Sequence, residues 1–378
     1  MHGVKRLFSW MIPRFDKSRF NVSLLSLRRR DLSEETLEEH GVSVHYLAKS
    51  KFDPTTLPAL VRLLRKLEID VIQTHGYGAT TFGRAAAVLL RMPNVLHEHA
   101  NLGDTPWFQK IPDAVFNPLT DVAIAVSEST RTFCIKGRKL SRKRVKLVYL
   151  GAPLSEFRPR PPAEVRLARE ALGFGAPDVA VVGTVTRLHE SKGNRYFVDA
   201  AAIVLRERPN VRFAVVGEGP LQDELESQAR RLGLEGKMFF LGFRRDVAEA
   251  LAAFDVACFP SLWEGTPLTV FEAMAMGKPI VSTDVDGLKD VLVPEESAVM
   301  VKARDAEALA RGLLRVLDDR ALAERLRRGA EAASRRFDVD RFVAKMSRLY
   351  EMLVDRYRQV RIGRPRWDYA REFDFLEE

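Results

Sequence analysis

Cysteine is scarce in this chain. Its 378 residues hold two, Cys134 and Cys258, which gives neither a disulfide framework nor a thiolate metal site. Cys258 lies in an apolar run, and both read as reduced thiols of a cytoplasmic protein. Long hydrophobic stretches are also missing: no run reaches the roughly 20 residues of a membrane span, and no secretory signal opens the sequence. His, Asp and Glu do not occur at metal-ligand spacing and the histidines are scattered, so no metal is expected. The P-loop pattern is absent. In the turn at Gly217-Glu218-Gly219, Gln222 stands where the dinucleotide fingerprint needs glycine, which excludes a nicotinamide cofactor. No internal repeat or low-complexity tract stands out. What is present is 46% hydrophobic and 29% charged, the balance of a soluble protein long enough for two ordinary domains.

The net charge of +9 is unevenly spread. Up to Arg158 the excess is roughly +10, and the remainder is close to neutral. It concentrates in residues 28–30 (RRR) and 136–146 (KGRKLSRKRVK). Two readings stand: plain solvated surface, or attraction to anionic lipid headgroups, where each basic residue adds about 1 kcal/mol. No recognition module or aromatic interleaving points to nucleic acid.

Val4, Leu7, Phe8 and Met11 recur at helical spacing, predicting a helix over 2–12 that ends near Pro13. Strands follow at 21–27, 42–47, 70–74, 94–99, 121–126 and 145–149, with helices at 55–67 and 80–90 and a helix start at Ser127-Glu128. Pro159, Pro161 and Pro162 mark a linker. A second series of strands then runs at 179–183, 211–216, 238–241, 256–259, 279–282 and 298–301. From Asp305 the chain is Ala/Leu/Arg-rich helix as far as Arg358, and the tail after Arg361 shows no pattern. Regular alternation of strand and helix predicts an α/β fold with parallel sheets, whose ligands bind at the carboxyl ends of strands. His75 and His99 fall at such ends, although a hydrogen-bonded structural histidine is the commoner occupant.

Residues 262–272 (LWEGTPLTVFE) carry the clearest chemistry. They follow an apolar strand and precede helix formers that stop at Gly277 and Pro279. Thr266 is expected as N-cap with Pro267 at the first helical position, and Gly265 lets a ligand approach the backbone. N–H groups at that helix start suit a phosphate. Glu264 in the turn and Glu272 about a turn and a half into the helix would border the same ligand. An anion pole beside two carboxylates suits a nucleotide sugar. A solvated helix glutamate and a loop charge is the plainer alternative. After the first strand of this half, Gly183 opens a loop in which Arg187 and Lys192 are spaced to grip one diphosphate, and Gly193 starts a helix. His189 in that loop reads as an exposed residue.

Here the chain resembles the retaining, nucleotide-sugar-dependent glycosyltransferases of family 4, which have the GT-B fold: two Rossmann-like doubly wound domains facing a cleft. The resemblance covers most of the sequence and is strongest from Val181 to Val301. Its marks are Arg187 with Lys192-Gly193, the run 216–221 (VGEGPL), the run 240–243 (FLGF), and Glu264 with Glu272 at E-x7-E spacing. The resemblance implies that Glu264 contacts the donor hexose and Glu272 the ribose hydroxyls, with Arg187 and Lys192 stabilising the departing diphosphate. It puts the nucleotide base against Gly242, Phe243 and Arg244, and the rest of the donor against Gly183, Gly193, Gly217, Gly265, Thr266, Pro267 and Leu268. His99, with His75, falls on the sugar or acceptor side. An N-terminal domain of residues 1–158 would bind acceptor and residues 159–344 the nucleotide sugar, with a last helix of about 345–378 crossing back. Donor substrate replaces any cofactor, no metal is required, and domain closure excludes water.

Two departures stand out. Family members begin with a strand and glycine-rich turn, of which only His2-Gly3 would remain, so the start is expected to lie upstream or part of the site to be missing. Asp286 replaces a common glycine, and residues 294–298 (PEESA) lack another. The resemblance therefore implies transfer of a hexose to a hydroxyl acceptor, lipid-linked or of an envelope glycan, with retention. A nucleotide-sugar epimerase of the same architecture and a non-catalytic sugar-nucleotide-binding partner protein are the alternatives.

Overall fold

The computed structural model describes residues 3–30, 35–50, 53–99, 105–174, 179–360 and 362–377. His2 and Arg361 lie outside the described residues. The chain divides into two compact units, Met1–Leu150 with Val339–Glu378, and Gly151–Asp338.

The first unit opens on α1 (Gly3–Met11), which buries Leu7, Phe8, Trp10 and Met11. Next come β1 (Ser23–Ser26), α2 (Glu35–Glu39), β2 (Ser43–Tyr46), α3 (Thr56–Lys66), β3 (Ile72–His75), α4 (Tyr77–Leu90), β4 (Asn94–Glu98), α5 (Trp107–Phe116), β5 (Val122–Ala125), α6 (Glu128–Thr132) and β6 (Val145–Leu147). Leu60 and Leu64, one helical turn apart on α3, pack with Ala86, Ala87 and Met92. Ser127 caps α6, its hydroxyl accepting from the Thr130 N–H at 3.2 Å. The sheet is in two pieces: β1 pairs only with β2, and β3-β4-β5-β6 form a separate parallel sheet. Among the described residues no strand joins β1 to β3.

The second unit contains α7 (Pro162–Ala171), β7 (Ala180–Val185), α8 (Asn194–Glu207), β8 (Val211–Val216), α9 (Gln222–Arg231), β9 (Met238–Phe240), α10 (Val247–Ala253), β10 (Val256–Phe259), α11 (Leu268–Ala275), β11 (Ile280–Thr283), β12 (Val299–Val301), α12 (Ala306–Asp318) and α13 (Arg320–Ser334). Its sheet order is β12-β11-β10-β7-β8-β9, parallel throughout. The chain winds outward from β7 through β8 to β9, then returns beside β7 and winds the other way. The reversal leaves a crevice at the carboxyl ends of β7 and β10, where doubly wound sheets bind ligands.

Both boundaries fall earlier than the proline cluster and the last helix suggest. The Ala152 N–H donates to the Phe337 carbonyl at 2.9 Å, and Ala152 bridges to Asp338, so residues from Gly151 on belong to the second unit. The return to the first unit comes with α14 (Val339–Gln359), followed by α15 (Tyr369–Glu372). Cys134 and Cys258 are buried free thiols. No helix of the described residues is long and apolar enough to cross a membrane.

Candidate functional site

In the second unit the loops after β7 and β10 are stitched together. A short turn, Glu190–Lys192, follows β7, and His189 caps it by accepting from the Ser191 N–H at 3.3 Å. His189 is thus half-buried and structural, not the free loop residue its position suggested. The Leu262 N–H donates to the Ser191 carbonyl at 2.7 Å. Gly193 has φ +63°, and a Cβ there would lie 2.0 Å from the Pro260 carbonyl oxygen. Only glycine permits that approach. The result is a direct contact: Lys192 Nζ donates to Glu264, whose carboxylate also accepts from Ser261 Oγ at 2.9 Å. Side-chain exposure is 21% for Lys192 and 9% for Glu264, so the pair is shielded from solvent.

Two neighbouring loops complete the rim. The Gly217 N–H donates to the Gly242 carbonyl at 2.8 Å, joining the ends of β8 and β9. The Phe243 N–H donates to Glu218 at 3.3 Å, its ring half-exposed, while Arg244 pairs with Asp246 at 2.5 Å. Arg187 is exposed on the β7 loop, and its carbonyl accepts from Asn194 at 3.3 Å. Glu272 is fully buried on α11.

Two expectations need correction. Thr266 is not the N-cap: α11 starts at Leu268, with extended Pro267 (ψ 122°) as cap residue and no side-chain cap bond. Pro267 takes an extended conformation and not the first helical one, so the helix begins one residue later and Gly265 and Thr266 belong to the turn. Gly183 is not at a strand end either. It lies inside β7, paired with Ala214 and Ala257. A Cβ there would meet the Phe254 ring at 2.2 Å, so this glycine makes room in the core and does not face a ligand.

In the first unit, β3 and β4 run parallel with His75 opposite His97, and His99 comes two residues later on the same face. The three histidines are therefore gathered, not scattered. His75 Nδ1 and His99 Nε2 are 2.7 Å apart, and the Gln73 amide nitrogen lies 3.1 Å from both His75 and His97. The Tyr350 hydroxyl of α14 donates to Gln73 at 2.6 Å. One ring nitrogen from each histidine falls within 4.8 Å of the others. His75 and His97 each stack on His99, at interplanar angles of 22° and 25°, and are tilted by 41° to one another. Burial pushes His75 and His97 well below the ordinary histidine value and His99 to about 4. All three are neutral at pH 7. His97 and Gln73 were missed in the sequence, although H-x-H at 97–99 and Q-x-H at 73–75 place each pair on one strand face.

A six-stranded parallel sheet with a charged pair at its switch point, and a second α/β unit in the same chain, is the architecture of the GT-B fold class. The chain belongs to the family 4, group 1 glycosyltransferases. The model described as "Glycosyltransferase Family 4" matches residues 2–156, and that for "Glycosyl transferases group 1" matches residues 177–319. Among curated relatives, the putative glycosyltransferase EpsF of Bacillus subtilis (strain 168) is 30% identical over 75% of this chain and 76% of its own. The UDP-Gal:alpha-D-GlcNAc-diphosphoundecaprenol alpha-1,3-galactosyltransferase of Escherichia coli is 27% identical over 80% and 81%. Among solved structures, Anabaena Alr3699/HepE in complex with UDP superimposes with a TM-score of 0.81 at 25% identity, covering 93% of this chain and 97% of that one.

Proposed function

We propose that this glycosyltransferase moves a hexose from a nucleoside diphosphate to a hydroxyl of a lipid-linked or envelope glycan, with retention at the anomeric carbon. The observation that carries it is the shielded Lys192–Glu264 pair at the β7/β10 crevice. In the resting protein each neutralises the other. An arriving donor replaces both partners: its diphosphate takes the lysine, and its sugar hydroxyls donate to the freed carboxylate. The C1–O bond to the diphosphate then breaks and the diphosphate leaves with the electron pair, its charge stabilised by Lys192, Arg187 and the backbone N–H groups of Gly265 and Thr266, while the acceptor oxygen bonds to C1 on the same face and its proton passes to the departing phosphate oxygen. Glu272 holds the ribose, and the base rests on the loop of Gly242, Phe243 and Arg244. His99 and His75, neutral, serve as hydrogen-bond partners on the sugar or acceptor side. Protein cations do the work a metal would do, so no metal is required. The E. coli relative's diphosphoundecaprenol acceptor and the UDP bound to the Anabaena protein support this assignment. The basic excess of the N-terminal unit supports attachment to an anionic membrane on its cytoplasmic face.

Donor turnover tests the reading. Lys192→Ala should lose about 100-fold or more, the scale of removing one transition-state stabiliser, and Glu272→Ala should slow turnover by weakening the hold on the ribose. Near-normal rates in both would overturn it. The anomeric proton coupling of the product checks stereochemistry, and an inverted product rejects retention.

A further inference from the structure

Helix α5 is amphipathic the wrong way round. Gln109, Asp113 and Asn117, spaced by one turn, point inward at 1%, 2% and 8% exposure. On the opposite face Trp107, Ile111 and Val115, also a turn apart, are 78%, 70% and 55% exposed. The inward face is committed to two buried guanidinium groups. Asp113 pairs with Arg84 of α4 and, at 2.8 Å, with Arg138. Gln109 donates to Asp113 at 2.9 Å, and Asn117 accepts from Arg84 at 2.9 Å and donates to the Arg138 carbonyl at 2.7 Å. Arg138 also reaches Glu98 at 2.7 Å. Turning the helix to hide its apolar stripe would take the Asp113 carboxylate from both buried cations and leave only Glu98 for Arg138, so the stripe is held outward. This network also shows that Arg138, within the basic run 136–146, is not solvated surface.

An outward row of large apolar side chains marks an interaction surface. The exposed residues of α5 are Trp107, Lys110, Ile111, Ala114 and Val115, with no carboxylate among them. Leu89, near the end of α4, is 61% exposed and is followed by exposed Arg91. Apolar residues beside Lys110, on a helix whose exposed residues include no carboxylate, complement anionic lipid. At about 15 Å the helix is too short to span a bilayer and suits one lying in its surface, with a tryptophan at headgroup depth.

We propose that α5 is the element that enters the membrane: Trp107, Ile111 and Val115 sink to the acyl boundary of an anionic bilayer while Lys110 stays at the phosphates. This rests on the membrane attachment proposed above and adds the device that achieves it. The test uses the full chain with phosphatidylcholine–phosphatidylglycerol vesicles, comparing it with a Trp107→Ser, Ile111→Ser, Val115→Ser variant. The variant should keep its melting temperature and donor binding and lose about tenfold or more in partitioning, since three buried apolar side chains are removed. Brominated lipid should quench the parent's fluorescence more than that of Trp107→Phe. Equal partitioning of parent and variant, with release by salt, overturns the helix and leaves surface attraction standing. No binding of the parent at low salt overturns both. Loss of a dimer in the variant by sedimentation, with vesicle binding intact, also overturns the proposal and makes the stripe a protein interface.

Discussion

His99 shows how much one side chain's surroundings decide. Burial holds it at about 4, and His75 and His97 are held low by burial and by neighbouring imidazoles. In the unfolded chain each titrates near 6.5. A depressed folded value means the unfolded state binds more protons in between, so the contribution is complete above about 6.5 and is lost as pH falls toward 4. The melting temperature should therefore drop on acidification from pH 7 to 5, and His99→Gln should flatten that dependence. Parallel melting profiles for parent and variant would show that these imidazoles do not govern acid stability. His75 and His99 were legible as strand-end residues. Their partners were not, because Gln73 reaches His97 across strands and Tyr350 reaches Gln73 from a helix far along the chain.

The elements around the crevice act through backbone fit. Gly287, in the loop after β11, has φ +80°, and a Cβ there would sit 1.6 Å from the Gly265 carbonyl oxygen. Gly287→Ala must push the Glu264–Thr266 turn aside. Turnover should fall by about 100-fold, as for a displacement on the order of 1 Å at a catalytic group. Gly233→Ala is the control: φ is +68° but nothing lies within 4 Å, so it strains the backbone without touching the site. Equal turnover in the two variants would mean the turn tolerates displacement. Strand positions in this unit were legible from apolar runs, as β8 at Val211–Val216 shows. The start of α11 was not, since Thr-Pro suits either a capped helix or an extended entry, and Pro267 takes the extended form.

At the scale of the molecule, the chain's end holds the first unit together. Asp121, 2% exposed, accepts from the Tyr357 hydroxyl at 2.9 Å, Arg364 at 2.6 Å and the Trp367 indole at 3.2 Å, and from the Asn94 N–H at 3.0 Å. Phe373, Phe375 and Leu376 of the same tail are buried. A chain ending at Val360 exposes the Asp121 carboxylate's surroundings and removes three buried apolar side chains, each worth about 1.5–3 kcal/mol at most. Melting should begin several degrees lower, while the stabilisation given by UDP, which binds the other unit in this reading, should persist. Unchanged melting would show that the tail only decorates the surface.

The sequence alone determined the α/β alternation, the two-unit plan and the loop residues proposed to grip a phosphate. Those signals are local: apolar period, turn residues and fixed spacings within a few positions. Only the tertiary structure decided that Lys192 faces Glu264, that three histidines gather in one cluster, that Gly183 makes room in the core and that α5 turns its apolar side outward. Each of these depends on which strand lies beside which and on where two arginines are buried, and contacts between distant positions leave no mark in the spacing of either.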